Sequence, residues 1–244
     1  MPFAKFHSAM AHSEFQLTER RPSVVGSFGS PNDLGICSAE DARIACDLAE
    51  IRLDLLEADG SAEESANWRH LQGIPLLFTA RRREEGGALD LSASRRIGLL
   101  QSAMPDAALI DIEVASIPEM TDFLSRLEVP WIASFHDFEK LPETRVLEDA
   151  AKRAKDAGAA AFKTAAKLHS PADIARLADF QLANHGILVA TRGMGPLAPV
   201  SRLLCAQCGS VLNYGFLGET PTAPGQWDAA SLKQAIARLV PYRI

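Results

Sequence analysis

Residues 130–163 read PWIASFHDFEKLPETRVLEDAAKRAKDAGAAAFK, and this stretch contains the repeating unit of the chain. The short apolar run Pro130 to Phe135 predicts a buried strand. Glu143 to Asp156 then places alanines and charged residues at helical spacing, which predicts an amphipathic helix. A second apolar run, Ala159 to Lys163, follows. Strand, helix and strand in this order are typical of two parallel strands joined by a helical crossover.

The same unit recurs along most of the chain. Six further apolar runs predict strands at Ser23 to Phe28, Glu50 to Leu55, Pro75 to Thr79, Ala107 to Glu113, Gly186 to Thr191 and Ser210 to Gly215. Helical periodicity also marks Ser92 to Met104, Ile117 to Leu127, Pro171 to Asn184 and Val200 to Cys208, with Ala229 to Leu239 as a closing helix. Eight strands that alternate with helices predict an α/β protein whose parallel sheet is covered by helices.

A single-domain (β/α)8 TIM barrel is the predicted architecture. The 244 residues are close to the roughly 250 of such a barrel, and no Gly/Ser-rich or Pro-rich linker divides the chain. An open doubly wound sheet is expected to carry a Gly-rich fingerprint, and Gly26-Ser27-Phe28-Gly29 is too short a match. We predict that residues 22–244 form the catalytic barrel and that residues 1–21 form an N-terminal tail or a cap on it.

The composition argues against several classes of protein. Apolar residues make up 47% and charged residues 23% of the chain, as in ordinary soluble enzymes. A net charge of −6 gives no general reason to bind nucleic acid or an anionic membrane. No run approaches the roughly 18 apolar residues of a membrane span, and the first residues do not resemble a signal peptide, so a cytoplasmic protein is expected.

The four cysteines predict neither disulfides nor a metal site. In a reducing compartment they should be thiols. Cys205 and Cys208 form a Cys-x-x-Cys pair, but no second pair or nearby histidine completes a tetrahedral site. We therefore interpret them as two small buried residues one helical turn apart.

Polar residues are dense where the predicted strands end, which is where barrels carry their chemistry. Glu50, Arg52 and Asp54 alternate along the second predicted strand and should share one face. Asp111 and Glu113 end the fourth. An internal ion-pair network that braces the barrel is an alternative explanation for Asp54, Asp111 and Glu113.

Lys163 ends the sixth predicted strand after four apolar residues, without an acidic neighbour in sequence. A buried lone lysine tends to be neutral, because burial disfavours the cation. A neutral amine is a nucleophile toward carbonyl carbons, so Lys163 is a candidate Schiff-base residue.

Taken together, the motifs resemble the type I 3-dehydroquinate dehydratase family of Schiff-base lyases. The matching segments, which span most of the chain, are Glu50-Ile51-Arg52, Thr79-Ala80-Arg81, Glu85-Gly86-Gly87, Ser134-Phe135-His136-Asp137-Phe138, Lys163-Thr164-Ala165, Met194-Gly195, Ser201-Arg202, Gly209-Ser210 and Ala223-Pro224-Gly225-Gln226. The spacing of 27 between His136 and Lys163 also matches. The chain departs from the family pattern at Leu141, at Ala198-Pro199, at Tyr214 in place of Phe and at Thr222 in place of Ser.

The resemblance implies the shikimate-pathway dehydration of 3-dehydroquinate to 3-dehydroshikimate, the third step of chorismate biosynthesis. It implies that Lys163 forms the Schiff base, that His136 is the general acid and base, and that Glu85 holds the His136 ring. The substrate-binding residues that it implies are Ser27, Glu50, Arg52, Arg81, Arg202, Thr222 and Gln226. Among them Arg202 is expected to lie in the loop after the seventh strand and to bind the substrate carboxylate as a bidentate fork. The resemblance also implies a homodimer without cofactor or metal.

Two other functions are compatible with a barrel. One is a class I aldolase with Gly193-Met194-Gly195 as a phosphate loop, although Pro196 and Pro199 remove two backbone donors. The other is a noncatalytic binding barrel, which would gain nothing from a desolvated amine at Lys163.

Overall fold

The computed structural model describes residues 15–18, 22–62 and 66–242. Its eight strands are β1 (Ser23–Phe28), β2 (Leu48–Arg52), β3 (Leu76–Thr79), β4 (Ala107–Glu113), β5 (Trp131–Asp137), β6 (Ala161–Lys167), β7 (Leu188–Met194) and β8 (Leu212–Leu217). All eight predicted strands are confirmed. Two of them, β1 and β4, have the predicted bounds, whereas β5, β6 and β7 continue into polar residues beyond the apolar runs.

The strands form one parallel sheet that is nearly closed into a barrel. Hydrogen bonds join the strands in the order β7-β6-β5-β4-β3-β2-β1-β8. At the remaining seam, the amide of Val211 donates to the carbonyl of Val189 at 3.1 Å, and the amide of Thr191 donates to Ser210 Oγ at 3.2 Å. The predicted single-domain TIM barrel is therefore confirmed.

Helices cover the outside of the barrel. They are α1 (Pro31–Ile36), α2 (Ala39–Ala45), α3 (Leu53–Asp59), α4 (Ala66–Arg69), α5 (Ala93–Ala103), α6 (Thr121–Leu124), α7 (Thr144–Asp156), α8 (Pro171–Leu182), α9 (Ala198–Gln207) and α10 (Ala229–Leu239). Side-chain caps define several helix starts, among them a capping box in which Ser170 and Asp173 bond each other's backbone amides. The closing helix has the predicted bounds, whereas Ile117 to Leu127 is a helix only at α6, with a 3₁₀ turn before it.

The barrel interior divides into an apolar end and a polar end. Side chains that alternate along each strand point inward, so one strand contributes to both ends. Near the amino ends of the strands the interior is a cluster that includes Val25, Leu48, Leu77, Leu109, Ile132 and Ala161. Two or more residues further along the same strands, the inward positions become polar. The fold therefore gathers the polar side chains at the carboxyl ends of the strands.

The predicted tail or cap at residues 1–21 lies outside the described residues except at 15–18. Phe15 and Leu17 are partly buried and pack against the apolar interior cluster of the barrel. The interpretation of residues 1–21 as a tail or a cap stays a prediction.

Candidate active site

A cavity lies at the carboxyl ends of the strands. It is lined by Glu50, Arg52, Arg81, Glu85, Gly86, His136, Phe138, Arg192, Met194, Tyr214, Thr222, Ala223 and Gln226. These residues come from strands β2, β5, β7 and β8 and from the segments that follow β3, β5 and β8. Seven of the ten residues named from the sequence are in this lining; Ser27, Lys163 and Arg202 are not.

Lys163 lies beside the cavity, under the ring of Tyr214. It occupies the third position of β6 rather than the strand end, and its side chain is 1% exposed. The Nζ atom is 4.4 Å from the Tyr214 ring centroid and 3.3 Å from its hydroxyl oxygen. It also forms an ion pair with Asp111, 52 residues away in sequence, so the amine has an acidic partner that its sequence neighbours do not reveal.

Burial lowers the pKa of Lys163 to about 8. Asp111 opposes this shift, while the cations Arg192 and Arg81 add to it. A substantial fraction of the amine is consequently neutral at mildly alkaline pH.

Arg81 is at the centre of a buried ion network that joins the segment after β3 to strands β4 and β5. Its Nη1 atom is 3.0 Å from Asp111 Oδ1, 3.0 Å from Glu113 Oε1 and 2.7 Å from Ser134 Oγ. Arg96 of α5 pairs with the other oxygen of Glu113. Arg81 holds the pKa of Asp111 well below its usual range, against the effect of burial. The bracing network considered for Asp111 and Glu113 is present, and Asp111 connects it to Lys163.

The orientation of the His136 ring is fixed by Glu85. Glu85 Oε2 accepts hydrogen bonds from both the backbone amide and Nδ1 of His136, each at 2.9 Å. Arg192 Nη2 is 3.5 Å from Nε2. A guanidinium only donates, so Nε2 is the acceptor and the ring proton is on Nδ1.

The charges around His136 keep its ring neutral. Burial, together with the cations Arg81, Lys163 and Arg192, holds the pKa of His136 well below its usual value. Burial raises the pKa of Glu85 to about 7. Glu85 lies in a 3₁₀ turn after β3, not on a strand, and this turn ends at Gly86 with φ +89°. A Cβ at Gly86 would be 2.8 Å from Phe138 Cζ, so the turn requires glycine.

Glu50 is fixed from two neighbouring strands. Thr79 Oγ1 donates to one carboxylate oxygen at 2.9 Å, and Ser27 Oγ donates to the other. Ser27 is fully buried and contacts Glu50 rather than the cavity. In this structure its hydroxyl positions a cavity residue.

Arg52 and Asp54 form a bidentate pair, with distances of 2.8 and 2.6 Å. Asp54 was predicted to share a strand face with Arg52. That prediction is wrong, because β2 ends at Arg52 and Asp54 is in the first turn of α3. There it also accepts from the amides of Arg81 and Ala88 and so holds the segment after β3.

The segment between β8 and α10 presents Gln226. Its Oε1 accepts from the amide and hydroxyl of Thr222 at 2.8 and 2.7 Å and from the amide of Ala223 at 3.1 Å. Because these bonds occupy Oε1, Nε2 is the group of Gln226 that can donate a hydrogen bond into the cavity. The hydroxyl of Thr222 is committed to Gln226.

Arg192 is a cavity residue that the sequence analysis did not identify. It is on β7, and its guanidinium carbon is 4.0 Å from the Tyr214 ring centroid. The sequence did contain a signal for Arg192. Polar residues were sought at the ends of predicted strands, and Arg192 directly follows the predicted strand Gly186 to Thr191. The strand was expected to end one residue too early for Arg192 to count as part of it.

Arg202 is on α9, so its expected position in a loop after the seventh strand is wrong. Arg202 lies instead in the stretch Val200 to Cys208, for which helical periodicity was predicted, and Pro199 is tolerated in the first turn of this helix. Arg202 is 1% exposed, and its Nη1 donates to the carbonyl of Tyr214 at 2.6 Å. Its Nε and Nη2 have no hydrogen-bond partner among the described residues.

The described residues contain no group of three His, Cys, Asp or Glu arranged to hold a metal ion. Cys205 and Cys208 are free, and burial raises the pKa of Cys205 to about 12. Within the part of the chain that the structure describes, no helix has the length and apolar character required to cross a membrane.

Comparisons with known proteins agree with one another. A family model described as type I 3-dehydroquinase matches residues 31–239. A 3-dehydroquinate dehydratase of Methanocella arvoryzae is 30% identical over 84% of this chain and 91% of its own length. The enzyme of that name from Methanococcus maripaludis is 32% identical, over 82% of this chain and 92% of its own.

A solved structure has the same fold over nearly its whole length. The 3-dehydroquinate dehydratase from Geobacillus kaustophilus superposes with a TM-score of 0.80 at 25% identity, covering 92% of this chain and 93% of that one.

Proposed function

The chain belongs to the type I 3-dehydroquinase family, and we propose that it acts through a Schiff base on Lys163 with His136 as general acid and base. The protein is a carbon–oxygen hydro-lyase, a 3-dehydroquinate dehydratase of the shikimate pathway. The proposal concerns how the residues of this chain perform that dehydration.

The observation that carries the proposal is a desolvated lysine beside a neutral histidine. Lys163 is buried, and its pKa is lowered to about 8. His136 has its unprotonated Nε2 toward the cavity and its Nδ1 on Glu85. A nucleophilic amine and a base near it are the two groups that the reaction requires.

The steps follow from these two groups. The Lys163 amine attacks the ketone carbon, and loss of water leaves an iminium. His136 Nε2 takes a proton from the adjacent carbon, and the electron pair of that C–H bond moves toward the iminium nitrogen. The electron pair then moves back from the nitrogen to form a carbon–carbon double bond. At the same time the neighbouring C–O bond breaks, and the hydroxyl leaves with the proton held by His136. Water then hydrolyses the iminium and releases the product.

The other cavity residues bind and orient the substrate in this proposal. Glu50, Arg52, Arg81 and Gln226 bind hydroxyl groups. Ser27 and Thr222, which were expected to touch substrate directly, support Glu50 and Gln226 through their hydrogen bonds. Orienting the ring contributes to the rate, because reacting groups held in place react far faster than free ones.

Borohydride trapping tests the proposal. Hydride reduces an iminium to a stable secondary amine, so protein treated with 3-dehydroquinate and borohydride should carry a covalent adduct on Lys163. Peptide mapping by mass spectrometry locates it. An adduct on Lys152, Lys155 or Lys167 would contradict the assignment.

The rate should rise with pH on the acid side. Only the neutral amine attacks the ketone, and the pKa of Lys163 is lowered to about 8, so the neutral fraction rises about tenfold per pH unit below 8 and levels off above it. We expect kcat/KM to follow this curve. Below about pH 7 the curve should be steeper, because Glu85, whose pKa is raised to about 7, becomes protonated there as well. An acid limb that rises without levelling up to pH 10 would contradict the lowered lysine pKa.

The family resemblance is also the basis on which we infer the oligomeric state and the cellular location. We infer a homodimer in the cytoplasm that requires neither cofactor nor metal. Light scattering measures the assembly, since a dimer has twice the 26.3 kDa mass of one chain.

A further inference from the structure

We propose that Tyr214 takes part in the condensation of Lys163 with the substrate, where its hydroxyl passes a proton from the attacking nitrogen to the ketone oxygen. This inference rests on the proposed function, because it supplies one step of the Schiff-base reaction on Lys163. Three observations support it: the position of the hydroxyl beside Lys163 Nζ, the protonated state of that hydroxyl, and the inability of the other group in contact with Nζ to donate a proton.

Tyr214 lies where the apolar interior of the barrel meets the cavity. Its side chain is 2% exposed, packs in the apolar interior cluster and also lines the cavity. The backbone is fixed within β8, because Tyr214 pairs with Val25 of β1 and its carbonyl accepts from Arg202 Nη1 at 2.6 Å. Lys163 Nζ and the Arg192 guanidinium carbon lie 4.4 and 4.0 Å from the ring centroid. These contacts hold the hydroxyl in one place beside the cavity.

The hydroxyl of Tyr214 has one hydrogen-bond partner among the described residues, and that partner is the reacting amine. Its oxygen is 3.3 Å from Lys163 Nζ. This is longer than a typical hydrogen bond, and catalytic hydrogen bonds often shorten when the reacting groups come together. A buried hydroxyl needs a partner, because an unpaired one costs free energy. A phenylalanine, which the family pattern has at this position, would fill the same space without that requirement.

The surroundings keep the hydroxyl of Tyr214 protonated. Burial, together with the carboxylates of Glu50 and Asp111, holds the pKa of Tyr214 well above its usual value, against the opposing effect of the nearby arginines. Burial lowers the pKa of Lys163 to about 8, so the hydroxyl still carries its proton at the pH at which the amine becomes neutral. A hydroxyl both donates and accepts, so it can give one proton and take another in the same step.

Asp111 cannot supply this proton, although it also contacts Lys163 Nζ through an ion pair. Against the effect of burial, Arg81 and Lys163 hold the pKa of Asp111 well below its usual range. An ionised carboxylate only accepts hydrogen bonds. Among the described residues that contact Nζ, Tyr214 is therefore the one that can donate a proton.

The step leaves Tyr214 unchanged. The lone pair of Lys163 Nζ forms the bond to the ketone carbon, and the π pair of the ketone moves onto its oxygen, so the nitrogen becomes positive and the oxygen negative. The hydroxyl of Tyr214 gives its proton to this oxygen and takes one from the nitrogen. Both atoms are bonded to the same carbon, so a hydroxyl that reaches one can reach the other. When the product iminium is hydrolysed, the same transfer runs from oxygen to nitrogen.

The rate of imine formation in a Tyr214→Phe variant tests the proposal. Each enzyme is mixed with 3-dehydroshikimate, whose ketone also condenses with Lys163, and is treated with borohydride after increasing times. Intact-protein mass spectrometry then measures the adduct. We expect the adduct to form about 10- to 100-fold more slowly in the variant, at the lower end of the usual contribution of positioned proton transfer, because water can partly replace the hydroxyl. The final adduct fraction should match the parent, because a proton relay speeds formation and breakdown equally.

The pH of the measurement separates a relay from an effect on the lysine pKa. At about pH 9.5 the amine is neutral in both enzymes, because burial lowers the pKa of Lys163 to about 8. The slower condensation of Tyr214→Phe should persist at this pH. A variant that matched the parent there and was slower only near pH 7 would show that the hydroxyl sets the lysine pKa, which would overturn the relay.

Controls separate the possible failures. Tyr242→Phe, which changes the chain's other tyrosine in the 3₁₀ turn Val240–Tyr242, should match the parent. A parent enzyme that turns over 3-dehydroquinate without forming a Lys163 adduct overturns the proposed mechanism. A parent that forms the adduct, with a Tyr214→Phe variant that forms it equally fast, overturns the role of Tyr214 alone. If that variant does not fold, the parent decides the question: its condensation should be about twofold slower in deuterated water, and equal rates would overturn the relay.

Discussion

Replacing Lys163 with methionine is expected to lower kcat by about 10⁵-fold or more. A tethered amine acts at an effective concentration of about 10⁵ to 10⁸ M, and methionine fills similar space without a nucleophile. The covalent adduct with borohydride and substrate should disappear with the activity. Stopped assays of 3-dehydroquinate consumption and intact-protein mass spectrometry measure the two effects.

The folding of this variant must be checked, because the substitution removes the lysine partner of the buried carboxylate of Asp111. Without Lys163, its carboxylate keeps its contacts with Arg81 and Ser134, so the barrel should still form. Thermal unfolding should show a cooperative transition. Lys155→Met, which changes an exposed lysine on α7, is the matched control and should be fully active. A folded Lys163→Met variant that retained even a hundredth of the parent activity would contradict the Schiff-base assignment.

Replacing His136 with alanine is expected to lower kcat by about 10²- to 10⁴-fold, the usual contribution of positioned proton transfer. Imine formation should persist at least in part, because the histidine acts mainly after the lysine has condensed with the ketone. Borohydride should therefore still trap an adduct on Lys163 in this nearly inactive variant. The combination of lost turnover and retained trapping separates the base from the nucleophile.

His70→Ala is the matched control for this variant. His70 is in the turn directly after α4, where its Nε2 contacts the carbonyl of Leu34, and its loss should leave turnover unchanged. A His136→Ala enzyme within about tenfold of the parent would show that another group transfers the proton. Loss of both turnover and trapping would instead place His136 in the condensation step.

Much of the fold was predictable because its signal is local. Each strand of the barrel is a short apolar run, and from the third strand onward residues at helical spacing separate each strand from the next, so the number and order of strands can be read from neighbouring residues. The bounds were less predictable at β5, β6 and β7. Strands β5 and β7 continue through His136 and Arg192, because polar side chains can face the cavity end of a barrel without leaving the sheet, and β6 continues to Lys167.

Within the site, the sequence by itself determined which residue types stand at the carboxyl ends of the strands. Seven of the ten residues chosen from motifs line one cavity. The tertiary structure alone decided which charges meet. Lys163 pairs with Asp111 across 52 residues, Arg192 and not Arg202 lies beside His136, and Asp54 is on a helix rather than a strand.

The physical reason is that a pKa and an ion pair depend on distances of a few ångströms between distant parts of the chain, which closure of the barrel sets. A sequence pattern reports the direction of a side chain along its own strand or helix. It does not report which buried cation is left without a counter-ion, because that depends on the pairing of every other charge in the interior. Among the residues that the structure describes, Arg192 and Arg202 are two buried or partly buried cations for which this pairing provides no carboxylate.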